Sequence, residues 1–61
     1  MTDQQTTIRV LEAELRIAED GRESCAQAAK AGSEVAVRWA AEWETVIRST
    51  RRQLSIARRA R

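Results

Sequence analysis

The second half of the chain carries the pattern that most limits its fold. Between Val35 and Ala57 one series of apolar residues falls at Ala36, Trp39, Trp43, Val46, Ile47, Leu54 and Ala57. Steps of three, four and seven residues return to one side of an α-helix. Both tryptophans of the chain lie on that side, and Arg48, Arg51, Arg52, Arg58 and Arg59 are expected on the opposite one. Such a helix offers an apolar face that must be covered and a cationic face for solvent or an acidic surface.

The first half supplies a cover. Ile8, Leu11, Leu15 and Ala18, followed by Arg22, Cys25 and Ala29, repeat at alternating steps of three and four, the a/d spacing of helices that pack lengthwise. Val10, Ile17 and Ala28 form a weaker stripe, about 100° around from Leu11. One partner helix leaves that stripe exposed, so Val10 and Ile17 point to a second contact, across an oligomer.

Where the chain turns has two readings. Asp20-Gly21 can end a short helix, with Ser24 and Gln27 resembling a capping box for the next. Alternatively Gly32 takes a left-handed C-cap and Ser33 caps a helix opening with Glu34, whose charge suits the N-terminal dipole. The second reading is preferred because it divides the chain into two helices of similar length. It places Cys25 near Trp39, Ala18 near Val46, Leu11 near Leu54 and Ile8 near Ile56, so small residues face the tryptophans. It also leaves Gly21 inside a helix, at roughly 1 kcal/mol against alanine. One continuous helix from Ile8 to Ala57, in an intermolecular coiled coil, is the third possibility. The expected organisation is a single helical domain: a frayed N-terminus over 1–6, helix 1 over 7–31 with Asp3, Thr6 or Thr7 as candidate caps, a turn at 32–33, and helix 2 over 34–59.

Composition agrees. There are 61 residues, no proline, phenylalanine or tyrosine and only two glycines, which favours long helices over a sheet. Chains this short rarely bury enough surface alone and rely on disulfides, metals or self-association. One cysteine and no histidine argue against the first two. Net charge is +2, divided unevenly: residues 1–34 carry seven acids against four bases, and residues 35–61 carry seven arginines against two acids. An acidic half followed by a basic half suits antiparallel pairing, within one chain or between two.

Chemistry has little to work with. Cys25 lacks a histidine to activate it and reads as a small core residue. Pairs such as Glu12 with Arg16 and Glu34 with Arg38 read as helix-stabilising contacts. Glycine-rich phosphate loops, metal-ligand spacings and nucleophile–base sets are all missing, so a non-enzyme without cofactors is expected. No 18-residue apolar window exists, so no membrane span is expected. A polar start and a lone thiol suggest a cytoplasmic protein. Ten arginines against one lysine suit GC-rich coding and a bacterial or bacteriophage source.

These observations predict an all-α antiparallel helical hairpin that self-associates into a coiled-coil-like dimer or four-helix bundle. The expected core and oligomer interface comprises Ile8, Leu11, Leu15, Ala18, Cys25, Trp39, Trp43, Val46, Ile47 and Leu54. Val10 and Ile17 form a second candidate interface. The expected role is protein–protein interaction, as an accessory, scaffold or inhibitor-like protein with itself and an unidentified protein as partners. The alternative is nonspecific nucleic-acid binding, with Arg48, Arg51, Arg52, Arg58 and Arg59 contacting phosphates.

Overall fold

The computed structural model describes residues 2–59. It is an antiparallel hairpin of two helices, α1 (Asp3–Lys30) and α2 (Glu34–Arg59), measuring 46 × 16 × 11 Å between Cα extents.

The turn lies at Gly32, as the preferred reading has it. Gly32 adopts φ 103°, a left-handed conformation that costs glycine nothing. Gly32 N–H donates to the Ala29 carbonyl at 3.0 Å and Ser33 N–H to the Ala28 carbonyl at 3.1 Å, the paired bonds of a Schellman C-cap. Ser33 then starts α2: its Oγ accepts from the Ala36 backbone N–H at 3.2 Å, the bond expected of an N-cap serine. One residue thus closes the first helix and opens the second.

The other end differs from expectation. α1 starts at Asp3 instead of residue 7, and its cap is Thr2 instead of Asp3, Thr6 or Thr7. The Thr2 hydroxyl accepts from the Gln5 backbone N–H, and the Gln5 side chain accepts from the Thr2 N–H, each at 3.1 Å. This reciprocal capping box satisfies two amides that open a helix without an internal partner. Gln4 adds a tertiary tie, donating from Nε2 to the Ala57 carbonyl at 2.8 Å.

The core is a narrow seam. Leu11 and Ala18 of α1 and Ala36, Ile47 and Leu54 of α2 are buried. Thr50 is buried too, at 5% exposure, and among the described residues no buried side-chain nitrogen or oxygen lacks a hydrogen-bond partner. Ile8, Leu15, Cys25 and Trp43 are half-buried at its margins. Two residues expected in the core lie outside it: Trp39 is 56% exposed and Val46 44%. Relative to Ile47 they are turned by about 80–100° around α2, beyond what one covering helix reaches. Ile56, expected against Ile8, is also exposed because it lies about 180° from Ile47.

α1 runs unbroken through Gly21, and the packing explains a glycine there. A Cβ on Gly21 would stand 2.5 Å from Cε2, 2.7 Å from Cζ2 and 2.9 Å from Nε1 of Trp43. The indole lies where a side chain would be, so the missing Cβ lets the two helices approach at this level.

Candidate interaction surface

The two long edges of the hairpin differ in chemistry. On one, three ion pairs cross between the helices: Arg22 with Glu44 at 2.9 Å, Arg51 with Glu19 at 3.2 Å and Arg58 with Glu12 at 3.2 Å. A groove along this edge is lined by Glu12, Leu15, Glu19, Arg51, Leu54 and Arg58. All six ion-pair members are substantially exposed, so each pair contributes less than about 1 kcal/mol and fixes register more than stability.

Helical geometry places most of the exposed large apolar residues on the other edge; Ile56 lies on the outer face of α2, and Val37, 57% exposed, falls on the charged side, near +80° from Ile47. Counting about 100° per residue from the buried Ala18, Glu12 and Glu19 lie near +100° to +120°, Val10 and Ile17 near −80° to −100°. From the buried Ile47, Glu44 and Arg51 lie near +40° to +60°, Trp39 and Val46 near −80° to −100°. In antiparallel helices, equal rotations from the shared interface point to the same side. Val10 (51% exposed), Ile17 (64%), Trp39 and Val46 therefore form one flank built from both helices, with Val35 (56%) beside the turn.

This flank is grooved. One depression is lined by Trp39, Glu42, Trp43 and Val46. Another, nearer the turn, is bordered by Ser24, Cys25, Ala28, Val35 and Trp39. Trp39 borders both, and the α1 residues that line the second, Ser24, Cys25 and Ala28, are all small. Cys25 and Trp39 thus share a groove, as the preferred register expects, but Trp39 forms an open wall instead of filling the core.

The expected residues therefore divide into groups. Leu11, Ala18, Ile47 and Leu54 meet in the seam, with Ile8, Leu15, Cys25 and Trp43 at its margins. Trp39 and Val46 join Val10 and Ile17, the second candidate interface, on the apolar flank. The five arginines are split: Arg51 and Arg58 turn toward α1 acids, Arg59 donates from Nε to the Ser55 carbonyl, and Arg48 and Arg52 are exposed. Thr50 and Gly21 were missed. Thr50 could have been found from its spacing of four before Leu54 and three after Ile47.

Among the described residues no cluster of three or more cysteine, aspartate or glutamate side chains is arranged to hold a metal ion, and no helix is long and apolar enough to cross a membrane. Comparison with family models, with curated proteins and with solved structures gives no match.

Proposed function

We propose that this chain is a non-enzymatic protein–protein interaction protein that works as an oligomeric helix bundle, a homodimer first, acting as an accessory, scaffold or inhibitor-like protein. The observation that carries this reading is the apolar flank: Trp39, Val46, Ile17, Val10 and Val35 gathered on one side, all substantially exposed. Contiguous exposed apolar surface of this kind marks an interface in small soluble domains. Tryptophan is the side chain most enriched at energetic centres of interfaces. A two-helix layer also has a single internal seam, which suits a chain completed by another layer.

The nucleic-acid reading ranks second because Arg51 and Arg58 are engaged by glutamates of α1, leaving fewer guanidinium groups directed outward than the sequence offers. Sedimentation equilibrium tests the first reading. The wild type is expected to be a dimer or larger at micromolar concentration, and Trp39→Lys is expected to shift it toward monomer. A folded wild-type monomer of 6.9 kDa throughout that range would refute self-association.

A further inference from the structure

Accessible surface measures how much cover the hairpin lacks. The chain exposes 4969 Å² at a mass of 6.9 kDa, whereas a folded monomer of that mass exposes about 4,000 Å². The surplus, roughly 1,000 Å², is close to the ~800 Å² that each partner buries in a standard-size interface. The apolar flank occupies a broad side of the hairpin, 46 by 16 Å between Cα extents, and a second hairpin laid on it hides an area of that order.

Two hairpins can stack flank to flank about a two-fold axis in two ways. An axis crossing the helices puts α1 on the second copy's α1 and α2 on its α2. An axis running along the helices puts α1 on the second copy's α2. Charge separates them. α1 carries six acids against four bases, and α2 three acids against six arginines. The crosswise axis sets the two cationic helices together. The lengthwise axis gives each acidic helix a cationic neighbour, repeating between chains the complementarity seen within one.

Size agrees with charge. A lengthwise axis preserves height along the bundle, and the Gly21–Trp43 contact and the Arg22–Glu44 pair show which residues share a height. Trp39 then lies over the second copy's Ser24 and Ala28, small residues bordering an open groove. Ile17, the most exposed large apolar residue of α1, comes level with Val46.

Resting on the self-association reading, we infer that the apolar flank docks a second copy of this chain about a two-fold axis running along the helices, with Ile17 against the second copy's Val46 and Trp39 over its Ser24–Ala28 groove. Cysteine pairing tests the arrangement. Ile17→Cys and Val46→Cys are made separately in a Cys25→Ser background, checked for wild-type helicity by circular dichroism, then refolded together and oxidised. The mixture is expected to give a disulfide-linked dimer on a denaturing gel, while each variant alone, and Ile17→Cys mixed with an outer-face Arg52→Cys, stays unlinked. Efficient linkage of either single variant with itself, and no disulfide joining the two different variants in the mixture by intact mass, overturns the lengthwise axis while leaving self-association standing. A wild-type chain that sediments as a folded monomer at micromolar concentration overturns both.

Discussion

Gly21→Ala sets two well-calibrated effects against each other. On helix propensity alone, alanine in the middle of α1 stabilises by about 1 kcal/mol. The packing opposes it. The new Cβ would lie 2.5–2.9 Å from three atoms of the Trp43 indole, against the 3.5–4.0 Å of ordinary carbon contact. A fused ring cannot fold out of the way, so it must tilt or the helices must separate, and overpacking of this kind costs about 1–3 kcal/mol. The net expectation is destabilisation of up to about 2 kcal/mol. At roughly 4–8 °C of melting temperature per kcal/mol for a domain this size, thermal circular dichroism at fixed protein concentration resolves it. Trp43→Leu supplies the control, because leucine lacks all three of the atoms that a Cβ would meet. In that background Gly21→Ala should raise the melting temperature, releasing the propensity gain. The coupling between the two sites, about 2 kcal/mol, lies within the range found for residues in direct contact. Equal stabilisation by Gly21→Ala in both backgrounds would refute the proposed role of the glycine.

Gly32→Ala should destabilise by roughly 1–2 kcal/mol purely through its left-handed backbone, since nothing lies within 4 Å of the added Cβ; Gly32→Asn should lose less in the same melt. Thr2→Ala removes one half of the capping box and should cost about 0.5–2 kcal/mol, seen as faster hydrogen exchange at the Gln5 amide. Changing Arg51, Arg52, Arg58 and Arg59 together to glutamine removes two exposed ion pairs, each contributing less than about 1 kcal/mol, so sedimentation should show the same assembly. Any nucleic-acid retention by the wild type should be weak, sequence-independent and lost with salt, by about 0.7–0.9 log units of affinity per log unit of salt for each phosphate contacted. Submicromolar binding at physiological salt, abolished by the four changes, would instead put nucleic acid first.

What was legible in the sequence was what depends on local chemistry and helical period. Gly32-Ser33 announced the turn, because only glycine enters the left-handed region freely and serine can accept from the next helix's amides. The seam residues Leu11, Ala18, Ile47 and Leu54 followed from spacing. The rest depended on quantities that spacing does not hold. Trp39 and Val46 satisfy the apolar period of α2, yet how much of an apolar arc gets covered depends on the number of covering helices, and here there is one. Gly21 looked like a defect because its compensation, the Trp43 ring, lies 22 positions away in the sequence. The Thr2–Gln5 cap was hidden in a polar run with no apolar period, where only the reciprocal bonds reveal a helix start. The division of the arginines needed a finer count of the same period: Arg51 follows Ile47 and Arg58 follows Leu54 by four residues, about 40° around α2, so both flank the seam instead of opposing it.

The shared cap at Ser33 also governs the order of assembly in time. With the helices joined so tightly, the first rung beyond the turn, Arg22 with Glu44, closes a separation of 22 residues, whereas Arg58 with Glu12 closes 46 and Gln4 with Ala57 closes 53. Bringing the outermost pair together from a fully open chain costs roughly 0.8 kcal/mol more entropy than the innermost. Once an inner rung has formed, each next one adds only a short increment of chain to be ordered. The hairpin should therefore close as a zipper from the turn outward, on the fast timescale of folds dominated by local contacts. The end where Gln4 holds Ala57 is then the last to shut and the first to open.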